Sequence, residues 1–185
     1  MINRHIKTER LLLRPWREED AENLYQYARD PLVGPSAGWA PHKSVEESAQ
    51  IIQRILSRPE TYAVCLREDG RAIGGISLKF GENTDLTERT DACELGYWIA
   101  RPFWGRGLIP EAAEALLCHA FSELGMNAVL CGYYEGNEKS HRVQEKLGFI
   151  YHHTAEHLHL PLLNEYRTGH VSILTRERWL SRHPS

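Results

Sequence analysis

The chain has 185 residues, a length that suits one domain with a real core and room for a cleft. Its 22 Lys and Arg nearly balance 25 Asp and Glu, for a net charge of −3, and no basic block stands out, so the electrostatic footprint of a nucleic-acid binder is missing. No apolar run is long enough to span a membrane, and the first five residues lack the apolar segment of a secretory signal; the expectation is a single cytoplasmic domain over residues 1–185.

Residues 8–16 carry Leu11, Leu12 and Leu13 and are closed by Pro15, which predicts a strand. Residues 18–29 place Leu24, Tyr25 and Ala28 at helical spacing behind an acidic first turn, and Asp30-Pro31 ends them. Turn signals around Trp39 make residues 32–43 a loop. Ser44, followed three residues later by Glu47, forms a capping-box pattern. The helix it opens puts Ala49, Ile52, Ile55 and Leu56 on one side and stops near Pro59. Residues 62–66 and 71–79 are strands joined across Asp69-Gly70, a hairpin signal. A polar stretch follows, then a strand over residues 92–100.

Residues 110–124 are expected to form an amphipathic helix with Ala112, Ala113, Leu116, Leu117, Ala120, Phe121 and Leu124 on one face and Gly125 as its stop. Residues 128–134 are a strand, 137–147 a helix stopped by Gly148, and 149–160 and 169–175 the last two strands. About seven strands and four helices in this order imply a layered α/β domain with a mixed sheet. Cys65, Cys93, Cys118 and Cys131 sit in apolar segments without a Cys-x-x-Cys pair, so all four are expected as buried free thiols.

The segment from Tyr97 to Glu111 carries the strongest chemical signal. A strand ends, a turn holds Gly105 and Gly107, and Pro110 stands where a helix starts and a missing N–H costs least. Such a turn exposes unpaired backbone N–H groups at the positive end of a helix, which suits an anion. Arg106-Gly107-Leu108 lacks the Gly-Lys-Ser/Thr of a nucleotide P-loop, and Pro110 replaces the third glycine of a dinucleotide loop. An anion site and a turn that only reverses the chain both remain open. In the helix of residues 137–147, Asn137 is a good N-cap, and Ser140, Val143, Gln144 and Leu147 share one face. Ser140 points to the core side, either to serve chemistry or to bond its own helix backbone.

Together these segments resemble the GNAT acetyltransferases, most closely the RimJ/RimL-type group that acetylates ribosomal-protein N-termini. The stretches concerned are Glu94-Leu95-Gly96-Tyr97-Trp98-Ile99, Trp104-Gly105-Arg106-Gly107-Leu108-Ile109-Pro110-Glu111-Ala112, Asn137-Glu138-Lys139-Ser140 and Glu145-Lys146-Leu147-Gly148-Phe149. Residues 8–14 and 174–179 also look like that group. The resemblance implies a mixed, splayed sheet gripping acetyl-CoA. The pyrophosphate would rest on the N–H groups of Arg106, Gly107, Leu108 and Ile109, and pantetheine would run along Trp98, Ile99 and Ala100. Asn137 would hold the cofactor arm and Ser140 would lie near the sulfur. Trp104 and Ile109 depart from the usual family turn, and Gly105 is added, which places the weight on backbone contacts.

Transfer from a thioester to a primary amine requires a base, a stabilised oxyanion and a proton for the departing thiolate. Glu94 is the base candidate and Ser140 the acid candidate, with Tyr133 and Tyr134 as rivals on alternating strand faces. Direct transfer leaves Cys131 without a nucleophilic role. Trp39 and Tyr133 are candidate substrate walls. His152, His153, His157 and His159 form a histidine-rich stretch in which His157 and His159 would share a strand face, but no cysteine or carboxylate completes a metal set, and none is expected. The acceptor is expected to be a peptide N-terminus or a small amine. A small-molecule acetyltransferase and a non-catalytic CoA-binding domain are the competing readings, and a monomer and a homodimer are both compatible with the sequence.

Overall fold

The computed structural model describes residues 4–184. The described residues form eight strands and five α-helices. The strands are β1 (Ile6–Lys7), β2 (Leu11–Arg14), β3 (Thr61–Leu66), β4 (Ala72–Lys79), β5 (Ala92–Ile99), β6 (Ala128–Tyr134), β7 (Ile150–Leu160) and β8 (Glu165–Thr175). The helices are α1 (Ala21–Ala28), α2 (Val45–Ile51), α3 (Leu108–Ser122), α4 (Glu138–Leu147) and α5 (Arg176–Arg182). The sheet order is β1-β2-β3-β4-β5-β6-β8-β7. It is mixed: β5 and β6 pair in parallel while β6, β8 and β7 are antiparallel. The layered α/β class expected from the sequence is therefore present, with one strand and one helix more than expected. Those are β1, two residues long, and α5, seven residues long; both are too short to show a period.

The chain divides into two compact units, one of residues up to Ser77 with Tyr97–Ala115, the other of Leu78–Gly96 with residues from Leu116 onward. In the first, Trp16, Leu24, Ala28, Ile52, Ala63 and Cys65 centre the core, and Trp39 and Trp98 pack against it from half-buried positions. The segment expected as a helix from Glu18 opens with a 3-10 turn, Glu18–Asp20, because Asp20 turns inward. Its carboxylate takes both Arg14 terminal nitrogens at 2.7 Å, and both side chains are buried. Ser44 caps α2 by accepting from the Glu47 N–H, as expected, while the Glu47 carboxylate accepts from Lys43 N rather than from Ser44. Beyond Ile51 the helix loosens to a π turn, Ile52–Leu56. That change of period rotates Ile55 outward, to 48% exposure, so Ile55 does not join the apolar side predicted for it.

In the second unit Ala92, Ala128, Leu130 and Val171 form a small core with Leu86 and Ile173 against it. Trp179 of α5 stacks on Phe121 at 5.5 Å. Arg178 Nε donates to the Gly148 carbonyl at 2.6 Å and Arg182 Nη2 to that of Lys146 at 2.9 Å, so α5 satisfies carbonyls at the end of α4. Cys65, Cys93 and Cys131 are buried, but Cys118 is exposed: it lies off the apolar face of α3, with Sγ 3.9 Å from Ser122 Oγ. Strand β7 carries bulges at Tyr151/His153 and Ala155/Leu158, and His157 sits in the second at φ 53°, so the alternation expected of His157 and His159 is broken there. No helix among the described residues is long and apolar enough to cross a membrane.

The buried Arg14–Asp20 pair makes a firm prediction. Asp20→Ala strands a buried guanidinium and should cost about 3–5 kcal/mol in urea unfolding. A loss under about 1 kcal/mol would mean that the Arg14 side chain escapes to water.

Candidate active site

In the first unit, Arg101–Phe103 makes one 3-10 turn after β5, and α3 begins at Leu108. Between them Gly105 has φ 74° and Gly107 φ 72°, left-handed values that an L side chain tolerates poorly. Space does not dictate glycine here: a Cβ on Gly105 would meet nothing within 4 Å, and one on Gly107 only Arg10 Nη2 at 3.7 Å. The backbone conformation does. Gly105, Arg106 and Gly107 are exposed while Leu108 and Ile109 bury their side chains. Pro110 is the third helical residue rather than the first, still among the positions whose N–H lacks an intrahelical partner. Trp104 turns its indole back, donating from Nε1 to the Ile99 carbonyl at 2.8 Å, and so ties the turn to the strand end.

The turn is held from outside by one carboxylate. Glu111 Oε1 accepts from Thr8 Oγ1 at 2.5 Å and from Arg10 N at 2.8 Å, and Oε2 accepts from Arg10 Nε at 2.7 Å. Arg10 Nη1 also donates to the Arg106 carbonyl at 3.0 Å. Partial burial alone would raise the Glu111 pKa, but the bonds from Thr8 and from the Arg10 backbone and side chain hold it below the usual carboxylate value. Sequence reasoning missed this lock. Thr8, Arg10 and Glu111 stood inside family-like stretches, but no local pattern pairs residues 101 positions apart.

Strand β5 ends on an aromatic cluster. Trp98 stacks with Trp16 at 6.3 Å and meets Trp39 edge-on at 5.7 Å. Two glycines of β4 admit it: a Cβ on Gly74 would lie 2.4 Å from the Trp98 carbonyl oxygen, and one on Gly75 2.6 Å from Trp98 Nε1. Ala100 N donates to Ile73 O at 2.9 Å, fixing the next residues of the expected pantetheine track. Trp39 packs over Gly34, where a Cβ would come within 2.5 Å of the indole, and lies 5.3 Å from the His42 ring. His42 is buried against Ser48 Oγ at 2.8 Å, and burial lowers its pKa.

In the second unit, both oxygens of Glu94 are engaged: Lys79 Nζ donates to Oε1 and Thr84 Oγ1 to Oε2, each at 2.6 Å. Tyr134 lies within reach of the charges of Arg167, Lys79 and Glu94, and burial pushes its phenol upward. Tyr133 is instead flanked by the His141 ring at 4.7 Å and the His170 ring at 5.1 Å. Only Tyr134 therefore keeps company with Glu94. Asn137 caps α4, its Oδ1 accepting from Ser140 N at 3.2 Å, and Ser140 is half-buried one turn in. Gln144, one turn further, is buried and was not singled out for chemistry. Among the described residues no group of three or more His, Cys, Asp or Glu is placed to hold a metal.

Residues 10–150 match the acetyltransferase (GNAT) domain model. The chain belongs to the GNAT acetyltransferases. Among relatives of this GNAT enzyme is YdaF of Bacillus subtilis, which carries the name of a ribosomal N-acetyltransferase; it is 44% identical over 82 residues, 44% of this chain and 42% of that protein. The FsC-acetyl coenzyme A-N(2)-transacetylase of Aspergillus fumigatus is 31% identical over 95% of this chain and 77% of that protein. The crystal structure of a GNAT-family acetyltransferase from Bacillus anthracis superposes with a TM-score of 0.80, covering 94% of this chain and 99% of that one at 23% identity, a likeness of fold.

The Glu111 lock predicts a pH dependence. Its folded pKa lies below the unfolded value of about 4.3, so its stabilisation is complete above that value and fades as pH falls through the folded pKa. Glu111→Gln should cost about 1–3 kcal/mol at neutral pH. Its deficit should shrink as pH drops below about 4, when the wild-type carboxyl is protonated too. A deficit independent of pH in denaturant titrations would assign the loss to shape and not to charge.

Proposed function

We propose that this GNAT enzyme moves an acetyl group directly from acetyl-CoA to a primary amine, and that the preferred acceptor is a protein N-terminal α-amine. The observation that carries the cofactor assignment is the glycine turn itself: left-handed Gly105 and Gly107, exposed, open on their Cβ sides, and set at the start of the 15-residue α3 inside the family match. Backbone N–H groups of Arg106, Gly107, Leu108 and Ile109 would hold the pyrophosphate, with no reliance on side chains. Trp98, Ile99 and Ala100 would align pantetheine in the manner of an added strand. Trp104 would contribute by bracing the turn, since its indole is already committed to Ile99. Asn137 would position the cofactor arm through the helix cap it makes. The name of the Aspergillus fumigatus relative, with its acetyl coenzyme A and N(2) nitrogen, supports an acetyl-CoA donor and a nitrogen acceptor.

For the chemistry, Glu94 would accept the amine proton through a water, because Lys79 and Thr84 already occupy one site on each of its oxygens and a carboxylate has about four. A backbone N–H of β5 would stabilise the oxyanion, and the Ser140 hydroxyl would donate to the leaving thiolate. Trp39, half-buried beside Trp98, would wall the acceptor, and Tyr133 would do so in the second unit. The name of YdaF favours a ribosomal-protein acceptor.

CoA release measured over a panel of peptides and small amines tests the proposal. Turnover is expected on peptides with a free α-amine. Activity confined to small amines would replace the acceptor, and tight CoA binding without transfer to any amine would make the chain a binding domain. Glu94→Gln should lower kcat by about 10²- to 10⁴-fold while acetyl-CoA affinity changes little. Unchanged turnover in that variant would remove Glu94 as the base.

A further inference from the structure

Gln144 is a polar residue in an apolar place. It is 1% exposed, on the face of α4 that also carries Val143 and Leu147. Its Nε2 donates to the Gly132 carbonyl of β6 at 3.3 Å, and its Oε1 is buried with no partner among the described residues. A buried amide oxygen left without a donor opposes folding and offsets what the Nε2 bond to Gly132 contributes, so net stability is a poor account of Gln144. Its position along β6 is informative. The parallel pairing with β5 registers Ala92, Cys93 and Glu94 against Ala128, Val129 and Leu130, and Gly132 lies two residues beyond the last of these pairs. On its other edge β6 stays in register with β8 as far as Tyr134. A side-chain amide from α4 thus supplies a donor to β6 beyond its registered pairing with β5.

We infer that Gln144 is a positioning residue for acyl-CoA, fixing the Gly132 carbonyl and with it the Cys131–Gly132–Tyr133 backbone, along which the acetyl-CoA reading would lay the cofactor arm. The inference rests on the acetyl-CoA reading above. Gln144 also lies one turn from Ser140 on the same face, so the amide ties the helix that carries Ser140 to this stretch of strand. Gln144 itself touches no reacting atom.

The test is Gln144→Met, which keeps the length of the side chain and removes both polar atoms, with Gln144→Leu as a second apolar variant. Each variant loses the bond to Gly132 but also the burial cost of the unpartnered amide oxygen, so the thermal midpoint should stay close to wild type. With the strand edge released, KM for acetyl-CoA should rise about three- to tenfold, the worth of one hydrogen bond, while kcat stays within about twofold. CoA affinity by calorimetry, well below both midpoints, should weaken in step. Unchanged KM and CoA affinity in both variants would overturn the inference, and so would a lowered midpoint with unchanged KM, which assigns Gln144 to stability. Wild-type protein that binds neither acetyl-CoA nor CoA would overturn the acetyl-CoA reading along with it. An active wild type with kinetically silent variants would overturn the role of Gln144 alone.

Discussion

The carboxylate of Glu111 is the constraint on which the glycine turn depends. Turns with left-handed glycines are entropically costly to order, and this one has little packing to order it, since the Cβ side of Gly105 faces open space. Glu111 compensates by gathering three donors, from the Thr8 hydroxyl, the Arg10 amide and the Arg10 guanidinium, while Arg10 reaches across to the Arg106 carbonyl. The segment between β1 and β2 and the first turn of α3 therefore act as one assembly. There is an electrostatic cost. A carboxylate in the first turn interacts well with the helix dipole but would repel a phosphate bound nearby. Arg10, paired to that carboxylate, and Arg106, whose guanidinium lies 5.2 Å over the Phe103 ring, carry positive charge that would offset it.

A second constraint is steric and lies one strand away. Gly74 and Gly75 are the two positions of β4 where a Cβ would collide with Trp98 or Ile99, so this pair of small residues sets how closely the end of β5 can approach. The stacked Trp16 and edge-on Trp39 complete the seat. The buried N–H of Trp16, like the amide oxygen of Gln144, has no partner among the described residues. Trp16 stacks on Trp98, to which the proposed cofactor path gives a role, and Gln144 bonds the β6 backbone at Gly132. Unsatisfied groups persist where position matters more than stability.

Much of this was legible from local pattern. The left-handed stop at Gly148, the caps at Ser44 and Asn137, and the buried face of Ala112, Ala113, Leu116, Leu117, Ala120 and Phe121 follow from residue type and spacing. So did the turn bracketed by Gly105 and Gly107. What spacing cannot register is a change of period or a distant partner. The π turn at Ile52–Leu56 displaced Ile55, and the bulge at His157 broke the expected histidine face. Cys118 is exposed because an apolar helical segment still has an outer face. The ties of Glu111 to Thr8 and Arg10 in the first unit, and of Gln144 to Gly132 in the second, join elements that only the tertiary fold brings together.

The nature of the acceptor amine decides how demanding the proposed proton transfer is. Lys79 and Thr84 each bond one oxygen of the Glu94 carboxylate, which fixes how that side chain sits on β5. For an acceptor amine with a pKa near 8, roughly a tenth is already neutral at pH 7, so little basicity is required. For a lysine-like or polyamine nitrogen with a pKa above 10, fewer than about one molecule in a thousand is neutral at pH 7, and proton removal is a much larger part of the barrier. The proposed α-amine acceptor is therefore the one that asks least of any base. Lys79 has a definite structural part, holding one oxygen of the Glu94 carboxylate at 2.6 Å.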